Sequence, residues 1–590
     1  MSSSLPPPLS LPVITIQHDS LDVIRDVAQL TVAKDRFWLS IYKDQQESVH
    51  ATVEVEASVG DESVQFNVAK GEARVEQKDP ITFEIECEKL STPPTLLQFP
   101  RTAIRDDLFA PGRKAIEKFD VTEGDRALPG LVAIAGSDGK CIVSKWRDNA
   151  DGAENGSAGP VGSNGTGRVE LKGLKSDITS LQFFPSGQTL LCSDLSSTSQ
   201  IFSIAPVPNP ISVRALQNPH QIRPTTCSKP LGKGRLLLTG SKDGSLRLWN
   251  VGKGDVRRSW NLGGGKGLTA LEVVRFGSES ENELERNDRN ELAKIVGLDL
   301  SVEKDRQVSE EVRLEDVGAV VALETGEVKI LRLFPPPHAP SNTESEKTKA
   351  VTSLTILHPY ENDSPSRTSG AQAIALSNSS YPASSSNPHL LVIGYANGLV
   401  AIHSLSELVS QASSPSSPRT IPNPLVIFQR QKGFAITGLA CIPPSSTSSS
   451  PVSSQLTSTV LVAISTADGL PFLASISFPS QAQTKTNPPE PESETGNEWK
   501  ANVKVLREYA GLDTEMACGI KWCREPLRDG DADADGFGGV GDGAWVGGGD
   551  EYSIIDNPAL WSYYGLDHQR LSKTFLAVHD VTKQRLHLPS

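Results

Sequence analysis

The sequence has no apolar run of about 18–20 residues, so no segment is expected to cross a bilayer as a helix. Cysteine is sparse: seven residues, at 87, 141, 192, 227, 441, 518 and 523, an odd and scattered set. That excludes a disulfide framework and points to a reducing compartment. Basic charge is in deficit, with 57 Lys+Arg against 71 Asp+Glu and a net charge of -14. So acidic a chain is a poor ligand for nucleic acid, where cationic side chains must displace the counterions of phosphate. The opening residues MSSSLPPPLS lack the basic and apolar regions of an export signal. The expected location is therefore cytoplasmic and nuclear, with neither membrane nor nucleic acid as partner.

Catalytic and cofactor signatures are missing as well. There is no His-Glu-x-x-His, no G-x-S-x-G elbow and no Walker A loop. Asp531, Asp533, Asp535, Gly536 and Asp542 fall at positions 1, 3, 5, 6 and 12 of a calcium loop, but Gly538 stands where an apolar residue belongs and no helices flank it. Gly536, Gly538 and Gly541 share the G-x-G-x-x-G spacing without a strand before or a helix after. Cys518 and Cys523 have no second Cys/His pair to complete a zinc site. His358, before Pro359, and His403, at a strand end, read as turn and strand-closing residues. No enzyme activity, cofactor or metal is expected.

What the sequence does contain is a repeat. Its clearest copy is Leu236–Val251, LLLTGSKDGSLRLWNV: an apolar strand ending at Gly240, a turn on Asp243-Gly244, and a second strand closing on Trp249. Leu131–Trp146 repeats it with Gly136, Asp138-Gly139 and Trp146. Leu390–Leu405 carries Asn397-Gly398 and has His403 in place of the aromatic closer. Ala319–Phe334, with Thr325-Gly326, and Val460–Phe478, with Asp468-Gly469, are weaker copies. Asp-Gly and Asn-Gly between apolar strands favour positive φ at the central residues, as a tight hairpin requires. A further strand precedes the hairpins, at Ile178–Phe184, Val351–Leu357 and Ala435–Ile442.

A strand followed by a hairpin, repeated, describes propeller blades, and the grammar is an eroded WD40 pattern. Trp-Asp is replaced by Trp249-Asn250 and Trp146-Arg147, so the His–Ser/Thr–Asp–Trp hydrogen-bond network of ideal repeats is incomplete. Asp138, Asp243 and the two tryptophans are its expected remnants, with structural roles.

The fold class expected is all-β, a seven-bladed WD40-type β-propeller over 96–590 preceded by a small antiparallel β domain. At about 40–45 residues per blade, seven blades need about 300 residues. Polar, breaker-rich blocks account for the excess, read as disordered insertions near 150–168, 279–316, 336–350, 362–388, 410–424, 443–458, 479–497 and 529–549. Glu279–Leu292 is the best helix candidate, within an acidic, exposed insertion. Residues 1–12 are expected to be disordered. Residues 13–95 form the N-terminal domain, where Phe37–Tyr42, Val49–Val55, Ser63–Val68 and Ile81–Cys87 alternate apolar and polar at a period of two.

The opening FWLSIYKDQQESVHATVEV, followed by Ser176–Cys192 (SDITSLQFFPSGQTLLC), Leu236–Gly254 and Val392–Ala401 in that order, resembles the proteasomal ATPase-associated factor family of 26S proteasome assembly chaperones. The resemblance implies a non-catalytic chaperone that binds one AAA+ ATPase subunit of the regulatory particle base, the sixth in that family, through its C-terminal domain. Binding would impede premature docking on the core particle, and the protein would be a monomer on its own. An acidic propeller face meeting a basic ATPase surface would suit the net charge. The alternative is a generic WD40 scaffold or adaptor in another complex, such as ribosome assembly or vesicle traffic.

Overall fold

The computed structural model describes residues 5–58, 64–100, 102–104, 116–122, 130–145, 169–204, 211–216, 223–276, 284–334, 351–360, 369–377, 389–413, 422–442, 459–478, 499–510, 516–522, 559–564 and 576–579. Seven four-stranded antiparallel sheets stand around one axis. From the axis outward, blade one is Ile116–Val121, Leu131–Gly136, Cys141–Lys145 and Val169–Leu171, and blade two is Ile178–Phe183, Thr189–Asp194, Ser199–Ser203 and Ile211–Leu216. Blade three is Thr225–Leu231, Leu236–Ser241, Ser245–Asn250 and Asp255–Asn261, and blade four is Leu268–Arg275, Val317–Leu323, Val328–Arg332 and Val351–Ile356. Blade five is Ala371–Leu376, Leu390–Tyr395, Leu399–Ser404 and Val426–Gln429, and blade six is Ile436–Ile442, Thr459–Thr466, Phe472–Ser477 and Asn502–Tyr509. Blade seven combines Met516–Trp522, Ala559–Tyr564 and Leu576–His579 with Thr102–Ile104, a strand from before blade one. Ile104 pairs with Leu576, so the last blade is completed from the other end of the ring and the circle is tied shut.

The second strands Leu236–Ser241 and Leu390–Tyr395 are buried along their whole length, because both faces of a blade lie against neighbouring blades. This is why these strands are nearly continuous apolar runs instead of alternating ones. The fourth strand of blade two faces solvent, Ile211–Leu216 being buried only at Leu216, whereas that of blade five is covered and buried at Val426, Ile427 and Phe428. Near the axis, threonines stitch successive first strands together. Thr179 Oγ1 donates to Thr225 O, Thr226 Oγ1 to Leu268 O and Thr269 Oγ1 to Ala371 O. Each acceptor begins a strand whose register shifts at the next residue, which leaves that carbonyl to the preceding blade. Two residues or so further along, charges pair between blades: Lys521 with Asp120 at 3.2 Å and Lys229 with Glu272 at 2.8 Å, while Gln182 Nε2 donates to Asp120 Oδ2 at 3.1 Å.

Several expectations are corrected. Val351–Ile356 is the outermost strand of blade four, not the inner strand of blade five. That inner strand is Ala371–Leu376, inside the block expected to be disordered at 362–388. Inner and outer strands both alternate and both end in turn residues, so only the pairing partner separates them. Much of the 279–316 insertion is ordered, as helices α2 (Leu284–Ile295) and α3 (Glu303–Val312). Ala293, Val296, Leu298, Val308, Val312 and Leu314 bury an apolar stripe in the core shared by blades three and four. The acidic composition describes the solvent side of that unit and hid the stripe. The 410–424 block begins inside another helix, α4 (Leu405–Ser413), capped by Ser404, whose Oγ accepts from Glu407 N at 3.4 Å. The blocks at 150–168, 336–350, 443–458, 479–497 and 529–549 lie outside the described residues.

Residues 5–12, expected to be disordered, form an ordered strap along blade five. Leu9–Ser10 pairs in parallel with the outer strand, Leu9 opposite Phe428. Tyr360 Oη donates to Pro6 O at 2.9 Å and Trp499 Nε1 to Pro7 O at 3.1 Å. Proline has no N–H, but its carbonyl still accepts, so a proline-rich strap can be held through its oxygens. Beyond it, Val13–Ile16, Lys34–Tyr42, Val49–Ala57 and Val64–Lys70 form a four-stranded sheet backed by helix α1 (Ser20–Ala28). Arg74–Asp79, Thr82–Cys87 and Thr92–Gln98 continue the sheet of blade six, with Leu97 parallel to Glu508. The two layers share one core of Phe37, Leu39, Ile41, Val53, Phe83 and Ile85.

Candidate interaction face

Because every blade is antiparallel, its connections alternate between the two faces of the disc. The links from first to second and from third to fourth strand open on one face, which carries among the described residues the α2–α3 insertion and α4. Links from second to third strand open on the other, together with most of the blade-to-blade links. In blades one to six the former are short turns. The result is one face of tight turns and one of insertions.

The site residues read from the sequence lie mostly on the tight-turn face. Positive φ was expected at both central turn residues, and only Asp138 (59°) and Gly139 (69°) show it. In the other turns glycine alone is left-handed, at 84° for Gly244, 87° for Gly398 and 74° for Gly469. The preceding residue stays right-handed because its side chain accepts a hydrogen bond two residues on. Asp243 Oδ1 takes Ser245 N at 2.9 Å, Asn397 Oδ1 takes Leu399 N at 3.2 Å and Asp468 Oδ1 takes Leu470 N at 3.1 Å.

The glycines also permit a close approach. A Cβ on Gly139 would lie 2.6 Å from the Leu174 carbonyl carbon, on Gly244 2.7 Å from Lys266 O, and on Gly398 2.5 Å from Gln431 O. Each turn is thus seated against the link to the following blade. Gly240 meets Cys227 Sγ in the same way at 2.5 Å, while Gly136 N donates to Lys140 O at 2.8 Å.

The remnant network differs from expectation. Trp249 is buried and its Nε1 donates to Thr239 Oγ1 at 2.9 Å, but Asp243 does not join them. It bonds Ser245 and, at 2.7 Å, Arg247 Nη2. Burial alone would raise the Asp243 carboxyl, yet the bonds from Arg247 and Ser245 hold it below its usual range. Asp138 N instead donates to Asp177 Oδ1 at 2.9 Å. Trp146 lies outside the described residues.

Other residues were not legible as anchors. Asn250 Nδ2 donates to Val296 O at 3.1 Å and Gly297 O at 3.2 Å, clamping the α2–α3 insertion to blade three. An aspartate there would bring acceptors to acceptors. The only signal was the Asn in Trp249-Asn250. At the foot of the strap, Arg430 Nε donates to Pro12 O at 3.1 Å and Nη1 to Leu470 O at 2.8 Å, Nη2 pairs with buried Glu508, and the guanidinium sits 4.5 Å over the Phe472 ring. Burial raises the Glu508 carboxyl to about 7, against the pull of Arg430.

His358 stacks edge-on against Tyr395 at 4.7 Å and accepts from Tyr360 N at 3.3 Å, while His403 is buried with neither ring nitrogen bonded; burial lowers both imidazoles to about 4. Cys518 lies on the first strand of blade seven, while Cys523, the Asp531–Asp542 loop and its glycines lie outside the described residues. No group of three or more metal-ligating side chains gathers among the described residues. On the N-terminal sheet, Trp38, Tyr42, His50 and Lys70 line an open hollow of about 380 Å³.

Comparison with known proteins agrees with this architecture. A family model for the WD domain, G-beta repeat, matches residues 219–250, the first strand and hairpin of blade three. No curated protein sequence matches this chain. Among solved structures it is similar to U3-55K, at 11% identity and a TM-score of 0.40, over 81% of this chain and 98% of that one. It is also similar to Chaetomium thermophilum Raptor, at 10% identity and a TM-score of 0.41, over 82% of this chain and 29% of that one. The chain is an all-β WD40-type propeller, an architecture that serves as a protein-interaction scaffold.

Proposed function

We propose that this protein is a non-catalytic assembly chaperone for the base of the 26S proteasome regulatory particle, binding the C-terminal domain of one AAA+ ATPase subunit. The observation that carries the reading is a closed disc whose turns at Gly139, Gly244 and Gly398 are seated against the links to the following blades, joined to N-terminal strands that continue the sheet of blade six. Such a body acts by occupancy. Held on the ATPase, it covers a surface required for docking on the core particle and leaves when competing contacts win, with no nucleotide of its own. Work of this kind takes place in cytoplasm and nucleus. The helical insertion α2–α3 supplies carboxylates for a basic partner surface, among them Glu291, Glu303 and Glu310.

Purified full-length protein is expected to capture the isolated ATPase C-terminal domain at physiological salt. Failure to do so refutes the reading. Affinity purification dominated by preribosomal or vesicle-traffic proteins in place of base subunits would make it a scaffold of another complex.

A further inference from the structure

The tight-turn face carries four lysines that form no ion pair among the described residues. Going round the ring, Lys172 and Lys175 lie in the link from blade one to two, Lys242 in the turn of blade three and Lys266 in the link from blade three to four. All four are exposed. Other lysines of this face are paired, Lys140 with Glu170 at 3.3 Å, Lys329 with Glu327 at 3.6 Å and Lys432 with Asp44 at 2.8 Å, while no ion pair among the described residues involves these four. In a chain of net charge -14, unpaired cations gathered on one face are not what composition predicts. They are also fixed in place. Lys175 N donates to Asp194 Oδ2 at 3.3 Å, and a Cβ on Gly267 would touch Lys242 Cγ at 3.3 Å, so the Lys242 and Lys266 loops adjoin.

Two further features share the arc. Between the lysine pairs, the turn of blade two presents Leu195, 49% exposed. Beside Lys266, Gly264 and Gly265 are left-handed, at 56° and 94°, with open space around both. Gly264 N is bonded to Asn261 Oδ1 at 3.1 Å and Lys266 N to Gly263 O at 3.0 Å. The Gly265 amide has no such acceptor among the described residues and is open to an incoming carboxylate beside Lys266. Asp138 and Glu324 are the exposed carboxylates of this sector, and Glu324 lies at the Lys242–Lys266 junction, its Oε2 3.0 Å from where a Cβ on Gly267 would sit.

We infer that this arc, Lys172, Lys175, Leu195, Lys242 and Lys266, docks an acidic segment of a partner protein in which an aliphatic residue is flanked by carboxylates. The inference rests on the reading of the chain as a protein-binding scaffold and adds the chemistry of one partner. Complementary charge on a preformed surface raises the association rate and fixes register, and the leucine adds an apolar anchor. A nucleic acid is disfavoured because no exposed aromatic residue lies on the described part of this sector for bases to stack on.

The test is fluorescence anisotropy of full-length protein with a labelled twelve-residue peptide of glutamates around one central leucine. Binding is expected at low salt and should weaken steeply as salt rises. Lys172→Glu, Lys175→Glu, Lys242→Glu and Lys266→Glu together should weaken it by about tenfold or more. Leu195→Ser should weaken it by about threefold, and Lys294→Glu with Lys304→Glu, on the insertion, should leave it unchanged. If the quadruple variant folds poorly, the Lys172/Lys175 and Lys242/Lys266 pairs are reversed separately, each expected to lose part of the affinity. No binding of the peptide, equal binding by the reversed variants, or tighter binding of a uridylate oligomer of the same length would overturn the inference. Capture of the ATPase domain is a separate assay, so failure here leaves the proposed function standing, and the converse holds.

Discussion

The central hairpins of blades three and five have the same strand lengths and the same register: Leu237 faces Trp249 as Leu391 faces His403, and Leu238 faces Leu248 as Val392 faces Ile402. They are fastened differently. In blade three the closing tryptophan finds Thr239 two residues along the opposite strand, and Asn250 clamps an insertion onto the blade. In blade five the position of Thr239 is Ile393, His403 has no hydrogen-bond partner among the described residues, and the fastening comes from afar, through the strap and Arg430. The difference teaches that where a local hydrogen-bond motif erodes, sequence-distant segments can take over the polar anchoring, provided their own buried groups are satisfied.

The sharpest way to break that comparison is to remove the distant anchor. Arg430→Met leaves Glu508 buried without its ion pair and frees the carbonyls of Pro12 and Leu470. We expect a loss of about 3–5 kcal/mol, with Arg430→Met/Glu508→Leu recovering most of it. Urea denaturation followed by tryptophan fluorescence checks both variants, and an undiminished midpoint in the single variant would show that the strap is ornamental.

A smaller effect is expected in blade three. Asn250→Asp replaces the two donated bonds to Val296 and Gly297 with carboxylate facing carbonyl, at a cost of about 1–3 kcal/mol. Hydrogen exchange should show lost protection concentrated in α2 and α3 if the clamp is the main tie. Uniform loss across the blades would mean that the apolar stripe of the insertion is enough.

The smallest effect at neutral pH belongs to His403. Unfolded, this imidazole takes up a proton below its ordinary 6.5; folded, it resists until about 4. The folded state therefore binds fewer protons in that window, and its stability falls as pH drops from 6.5 toward 4. Glu508, raised to about 7 from 4.5, contributes the opposite slope, stability present below 4.5 and lost as pH rises toward 7. His403→Phe should change stability by less than about 1 kcal/mol at neutral pH. It should also grow more stable relative to the parent on acidification, and parallel pH profiles would contradict the assignment.

The ring itself was legible. Strand–turn–strand units with Asp243-Gly244 or Asn397-Gly398 at their centre mark propeller hairpins without knowledge of their neighbours, because turn geometry is local. The strand identities were less so. The pattern puts Val351–Ile356 as the inner strand of blade five and loses Ala371–Leu376 in a block that reads as disordered, because which segment starts a blade depends on what pairs with it. The insertion was misread because charge dominated its composition while the buried stripe, Ala293, Val296, Val308 and Val312, is spread over two short helices. The lysine arc was invisible for the same kind of reason: its members lie in four separate links and turns, and only closure of the ring gathers them.

By itself the sequence determined the repeat unit, the turn chemistry and the all-β class, since these depend on φ preferences and apolar patterning within about fifteen residues. Tertiary structure alone decided which strand completes blade seven, what holds the proline-rich strap, and which charges share a face. Those are pairings between residues hundreds of positions apart, as between Leu9 and Phe428 or Ile104 and Leu576, and no local energy term distinguishes them until the ring has closed.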